Sequence, residues 1–68
     1  MKDKIVLTER EKDIVFLICE GQTNQEIAKK LFISPHTVKT HIESLFLKVN
    51  VRNRVQLSVF AIKNGIIS

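Results

Sequence analysis

Hydrophobic positions along the chain recur at helical spacing in four separate stretches. Ile14, Leu17 and Ile18 share a stripe in the first, Ile27, Ala28 and Leu31 in the second, and Leu57, Phe60 and Ala61 in the fourth. In the third, Val38, Ile42, Leu45 and Val49 follow one another at steps of four, three and four. At about 100° per residue these four fall in one narrow sector of a helix. No segment alternates with period two for long enough to make a strand, and the chain holds no internal repeat, low-complexity tract or linker.

Polar residues just ahead of each stripe mark where the helices start. A hydroxyl or amide oxygen can accept from an unpaired backbone N–H of the first turn, and a Glu or Gln three residues on can reach back. Thr8-Glu9-Arg10-Glu11 and Thr23-Asn24-Gln25-Glu26 have this form, and Asn53 with Gln56 opens the fourth helix. Ser34 precedes Pro35, which suits the first helical position because the N–H it lacks would have no partner there. Gly21 and Gly65 end the first and last helices, where a left-handed residue costs glycine little. The pattern predicts helices at about 8–20, 24–31, 35–49 and 54–64. The expected fold is all-α, a four-helix bundle forming a single domain over residues 1–68.

The second and third predicted helices are separated by only Phe32 and Ile33, so they must cross steeply. That is a helix-turn-helix, whose second helix can enter a DNA major groove with its N-terminal residues nearest the base edges. Opposite the Val38 sector lie His36, Thr40, Glu43 and Leu47, with Lys39 on the flank. A cation, an acid and a hydroxyl in two turns suit base reading. Lys can donate to guanine, Glu can accept from the cytosine amino group, and Thr can hydrogen-bond or touch a thymine methyl. The start of this helix, at Ser34 to Thr37, adds backbone donors and a partial positive charge that favour a phosphate. Ser34 is expected first of all to be the N-cap.

Charge sharpens this picture. Residues 1–33 balance six Lys or Arg against six Asp or Glu, whereas residues 34–68 carry Lys39, Lys48, Arg52, Arg54 and Lys63 against Glu43 alone. The whole net charge of +4 therefore lies in the half that contains the third helix, the electrostatic footprint expected of a nucleic-acid binder, although basic surfaces also serve solubility or anionic lipids. A chain of 68 residues buries only about 60 % of its unfolded surface, which leaves no room for a deep substrate cleft. The two His have no nucleophile or metal arrangement around them, and the two glycines form no phosphate loop. The single Cys19, within an apolar stretch, reads as a small core residue. No catalysis, cofactor or metal is expected. The longest apolar run, from Ile14 to Cys19, is far short of the roughly 20 residues that span a bilayer, and the expected address is cytoplasmic.

Taken in order, Leu7-Thr8-Glu9-Arg10-Glu11, Glu20-Gly21, Asn24-Gln25-Glu26-Ile27-Ala28, Leu31, Ile33-Ser34, Thr37-Val38-Lys39-Thr40-His41-Ile42, Lys48 and Val51-Arg52-Asn53-Arg54 resemble the LuxR-type (GerE-type) helix-turn-helix domain. The resemblance covers nearly the whole chain. It implies transcriptional control by dimers on double-stranded promoter DNA, with a receiver domain or RNA polymerase as further partners. Carried over by position, it puts base reading at Lys39, Thr40 and Glu43, the residues the helical wheel exposes, with His36 beside them. It puts phosphate contact at Thr37, with Lys48 and Arg54 as family-type basic residues. Arg54 has a second structural role open to it, pairing with Glu11. His41, near the edge of the buried sector, reads as a packing residue. Phe16, Leu47 and Val49 depart from the family pattern, and Phe16 is a candidate for docking onto another domain. Glu43 departs too, standing where relatives carry a cation.

Two other readings share these features. Region 4 of a bacterial sigma factor has a similar opening and Glu-Ile-Ala motif, but His41-Ile42 and a helix from Arg54 to Gly65 fit the LuxR type better. A protein-interaction helix-turn-helix would bind no DNA. For assembly, Val55, Val59 and Lys63 lie at steps of four on the fourth helix with Ile62 beside them, and a two-fold axis would set this strip against its own copy. The alternative is that Val59 and Ile62 complete the monomer core.

Overall fold

The computed structural model describes residues 5–66, and its helices begin where the side chains can cap them. The four helices are α1 (Glu9–Cys19), α2 (Asn24–Leu31), α3 (Pro35–Val49) and α4 (Arg54–Lys63). Among the described residues there is no strand. At α1 the Glu11 N–H donates to Thr8 Oγ1 at 3.1 Å, and the Thr8 N–H donates back to Glu11 Oε1 at 2.8 Å. Thr23 and Glu26 repeat the pair at α2 with the same two distances. Ser34 Oγ and Asn53 Oδ1 accept from the N–H groups of Thr37 and Gln56 at α3 and α4. Each such cap stabilises a helix start by about 1 kcal/mol.

The C-terminal ends divide into two kinds. Gly21 (φ 83°) and Gly65 (φ 67°) supply the left-handed residue after α1 and α4. After α2 and α3 the same conformation falls on Phe32 (φ 58°) and Asn50 (φ 59°). Asparagine tolerates this region, but a bulky side chain there is an outlier held in place by its surroundings. At Phe32 the holding bonds run to the Ala28 carbonyl, which accepts from the N–H groups of Phe32 and of Ile33. Residues 32–34 thus form the turn of the helix-turn-helix.

The core is one cluster. Leu7, Ile14, Val15, Leu17 and Ile18 meet Ile27 and Ala28, then Val38, Ile42, Leu45 and Val49, then Leu57 and Ala61. All four residues of the α3 sector are buried, and Val38 and Leu45 have no exposed surface. Full burial of an aliphatic side chain stabilises by roughly 1.5–3 kcal/mol, so α3 is fixed by its rear face and leaves its front face free. It packs against each of the other three helices. Leu7 and Val15 complete the core beyond the sequence stripe, whereas Leu31 and Phe60 are half-buried at its edge. Val59 and Ile62, at 46 % and 66 % exposed, do not complete it.

Candidate nucleic-acid interface

The front of α3 carries His36, Lys39, Thr40, Glu43 and Leu47, all exposed. Thr40 Oγ1 donates to the His36 carbonyl at 3.1 Å, one turn back along the helix. Its hydroxyl hydrogen is therefore committed, and what Thr40 offers outward is its γ-methyl group and an oxygen lone pair. Leu47, 86 % exposed, extends this face with a purely apolar side chain. His41 is half-buried on the flank.

At the start of α3 the donors can be counted. Pro35 has no N–H, the Thr37 N–H goes to Ser34 Oγ at 3.0 Å, and the Val38 N–H goes to the Ser34 carbonyl at 3.1 Å. The two hydroxyls of Ser34 and Thr37 lie 2.8 Å apart, so one hydrogen bonds between them and the other remains. This end of the helix presents the His36 N–H and a single hydroxyl hydrogen to an approaching anion. Ser34 caps the helix and can serve an anion only through that shared hydrogen.

The cations predicted around this face meet partners within the chain. Lys48 Nζ donates to Glu11 Oε1 at 2.9 Å, tying the end of α3 to the start of α1. Burial pushes the Glu11 carboxyl up, but the Lys48 and Thr8 hydrogen bonds and the Lys48 charge outweigh it and hold Glu11 below its ordinary range. Arg54 does not pair with Glu11. Its guanidinium donates to the Gln22 carbonyl at 3.1 Å and to Asn24 Oδ1, joining α4 to the loop before α2. Glu11 already accepts from Lys48 and from its own cap, and Arg54 lies half-buried beside the second helix instead. Sequence spacing gave no sign of either partner, because both bonds bridge residues 30 or more apart.

Beside α3, toward the start of α4, lies an open depression of about 520 Å³, with Ile42, Phe46, Lys39, Glu43, Arg52 and Arg54 among its lining residues. On the outer face of α4, Val55 (72 % exposed), Val59, Ile62 and Lys63 form an uncovered strip. A second hollow of about 430 Å³ runs along it, lined by Val55, Val59 and Lys63 with Phe60. Among the described residues no helix is long and apolar enough to cross a membrane.

Comparison with known proteins places this geometry. Residues 5–61 match the family described as bacterial regulatory proteins, luxR family. The chain is 51 % identical over 65 residues to the uncharacterized transcriptional regulatory protein YhcZ of Bacillus subtilis (strain 168), covering 91 % of this chain and 30 % of that protein. Among solved structures it is similar to the transcription factor GerE, with a TM-score of 0.86 and 32 % identity over 91 % of this chain and 92 % of that one. It is similar also to the response regulator ChrA of a heme-sensing two-component system, with a TM-score of 0.88 and 36 % identity over 97 % of this chain and 33 % of that one. The chain spans 30 % or less of the length of the first curated relatives it matches.

Proposed function

The chain belongs to the luxR family of bacterial regulatory proteins, and from that premise we propose that it binds double-stranded promoter DNA by laying α3 in the major groove. The family is one of transcriptional regulators, and the chain is not an enzyme. The observation that carries the reading is the division of α3 into a fully buried rear, Val38 and Leu45, and an exposed front bearing His36, Lys39, Thr40 and Glu43. A helix so held presents its front as a rigid unit. Lys39 reads guanine, Glu43 accepts from cytosine, Thr40 meets a pyrimidine edge, and His36 lies at the groove entrance. Ser34 and Thr37 offer their one remaining hydroxyl hydrogen to a phosphate, and Lys48 and Arg54 add positive potential while bonded to their internal partners.

One short helix reads too few base pairs to select a promoter, so the site must be doubled. The α4 strip of Val55, Val59, Ile62 and Lys63 supports a two-fold homodimer, because it is apolar, uncovered and flanked by a hollow that a second copy can fill. In this reading the protein works in the cytoplasm, where promoter DNA is, and a receiver domain or RNA polymerase meets it outside α3.

Lys39→Ala tests the assignment. It should weaken binding to a selected operator by roughly 1–3 kcal/mol with an unchanged circular dichroism spectrum, since Lys39 is exposed and contributes little to packing. Unaltered affinity would remove α3 from the groove.

A further inference from the structure

We propose that the depression between α3 and the start of α4 seats a DNA phosphodiester, and that Arg52 is the cation that holds it. The inference rests on the reading of α3 as the groove helix. Of the basic residues in the second half of the chain that lie near α3, Lys48 bonds Glu11 and Arg54 bonds Gln22 and Asn24. Arg52 is exposed, and among the described residues no side chain or carbonyl accepts a hydrogen bond from its guanidinium. Its backbone is nevertheless fixed, because the Arg52 N–H donates to Gln56 Oε1 at 2.8 Å and the next residue, Asn53, caps α4. An unpaired guanidinium thus stands on an anchored stem, sharing one depression with Lys39 and Glu43.

Geometry assigns it to the backbone of DNA and not to the bases. The major groove is about 12 Å wide, so with a helix along its middle the phosphate rim lies about 6 Å to either side. Packed helices stand about 8–10 Å apart, so a residue at the start of α4 is displaced from the α3 axis far enough to lie over that rim. Lys39 and Glu43, from α3, and Arg52, from the turn between α3 and α4, line the same depression. The planar fork of arginine matches two oxygens of a phosphate, and Glu43, the one carboxylate lining the depression, forms no ion pair with Arg52 among the described residues.

The test is the salt dependence of binding, measured for the wild type, Arg52→Gln and Lys12→Gln on a selected operator and on a scrambled duplex. Loss of one phosphate contact from each copy of the dimer should lower the slope of log affinity against log salt by about 1.8 for Arg52→Gln, and cut affinity about five- to tenfold per copy on both duplexes. Lys12→Gln, which removes an exposed cation of α1 that meets only Glu9, should keep the wild-type slope. An Arg52→Gln slope equal to the wild type overturns the proposal, as does an affinity loss confined to the operator, which would make Arg52 a base reader. A wild-type chain that forms no DNA complex would overturn the groove reading itself, an outcome visible before any variant is compared.

Discussion

Replacing Thr40 by valine should leave DNA binding nearly intact, whereas replacing it by serine should not. The Thr40 hydroxyl donates to the His36 carbonyl, and of the two groups it still offers outward, a γ-methyl and an oxygen lone pair, the methyl is the one assigned to base reading. Valine keeps that methyl and the branched shape. It loses a bond to a carbonyl that already accepts within the helix, and such back-bonds do little for helix stability. The change in folding stability should stay within about 0.5 kcal/mol. Serine keeps the hydroxyl and deletes the methyl. Burying one such carbon group is worth about 0.8 kcal/mol, so a dimer on two half-sites loses about 1.6 kcal/mol, near fifteenfold in affinity. Fluorescence anisotropy on a selected operator reads both variants directly. Exchanging the facing thymine for uracil should weaken the wild type and Thr40→Val by similar factors and leave Thr40→Ser unchanged. A valine variant that loses as much affinity as the serine variant would refute the argument, because the hydroxyl would then be the group in contact.

Glu43→Gln should relax base preference at one position per half-site without lowering total affinity, because an acid facing a polyanion is tolerated only where it accepts a hydrogen bond; identical selected sites for both proteins would make Glu43 a solvated charge. Val59→Glu should give a folded monomer that has lost cooperative binding to a two-half-site operator, read by sedimentation and gel shift, and retained cooperativity would place the dimer surface elsewhere. Lys48→Met should lower stability by about 1 kcal/mol, or 4–8 °C in Tm for a chain of this size. The loss has a defined pH dependence: a carboxyl held below its ordinary range stabilises the fold above that range and ceases to do so as pH falls through its folded pKa. The gap between wild type and Lys48→Met should therefore be full near neutrality and close on acidification. A gap independent of pH would mean that Lys48 acts through packing of its stem.

The fold was legible because local signals agreed with one another. Thr8, Thr23, Ser34 and Asn53 stand where capping chemistry requires them, and Val38, Ile42, Leu45 and Val49 fix the rear of α3 so tightly that its front follows by geometry. Helix ends were read less well, with α1 and α4 each stopping one residue short of expectation. The left-handed Phe32 could not be foreseen, since no propensity puts a phenylalanine there; only the closure of the turn demands it. The face of α3 could be drawn from spacing alone, so the exposure of Thr40 and Glu43 was accessible, whereas for Val59 spacing left a core position open and the structure shows it exposed. Pairing was not accessible. That Lys48 meets Glu11 and Arg54 meets Asn24 depends on how helices dock, and a sequence with many cations and acids allows several partners for each.

Whether α3 reads bases from the major groove is decided by selecting bound sequences from a random DNA pool and following the selection with groove-specific interference. A helix seated in the major groove should enrich a two-fold motif with half-sites one helical turn apart, about 10 base pairs, and lose binding when guanine N7 within the motif is methylated. A pool that yields no motif, or interference confined to the minor-groove edge of adenine, would contradict that placement of α3.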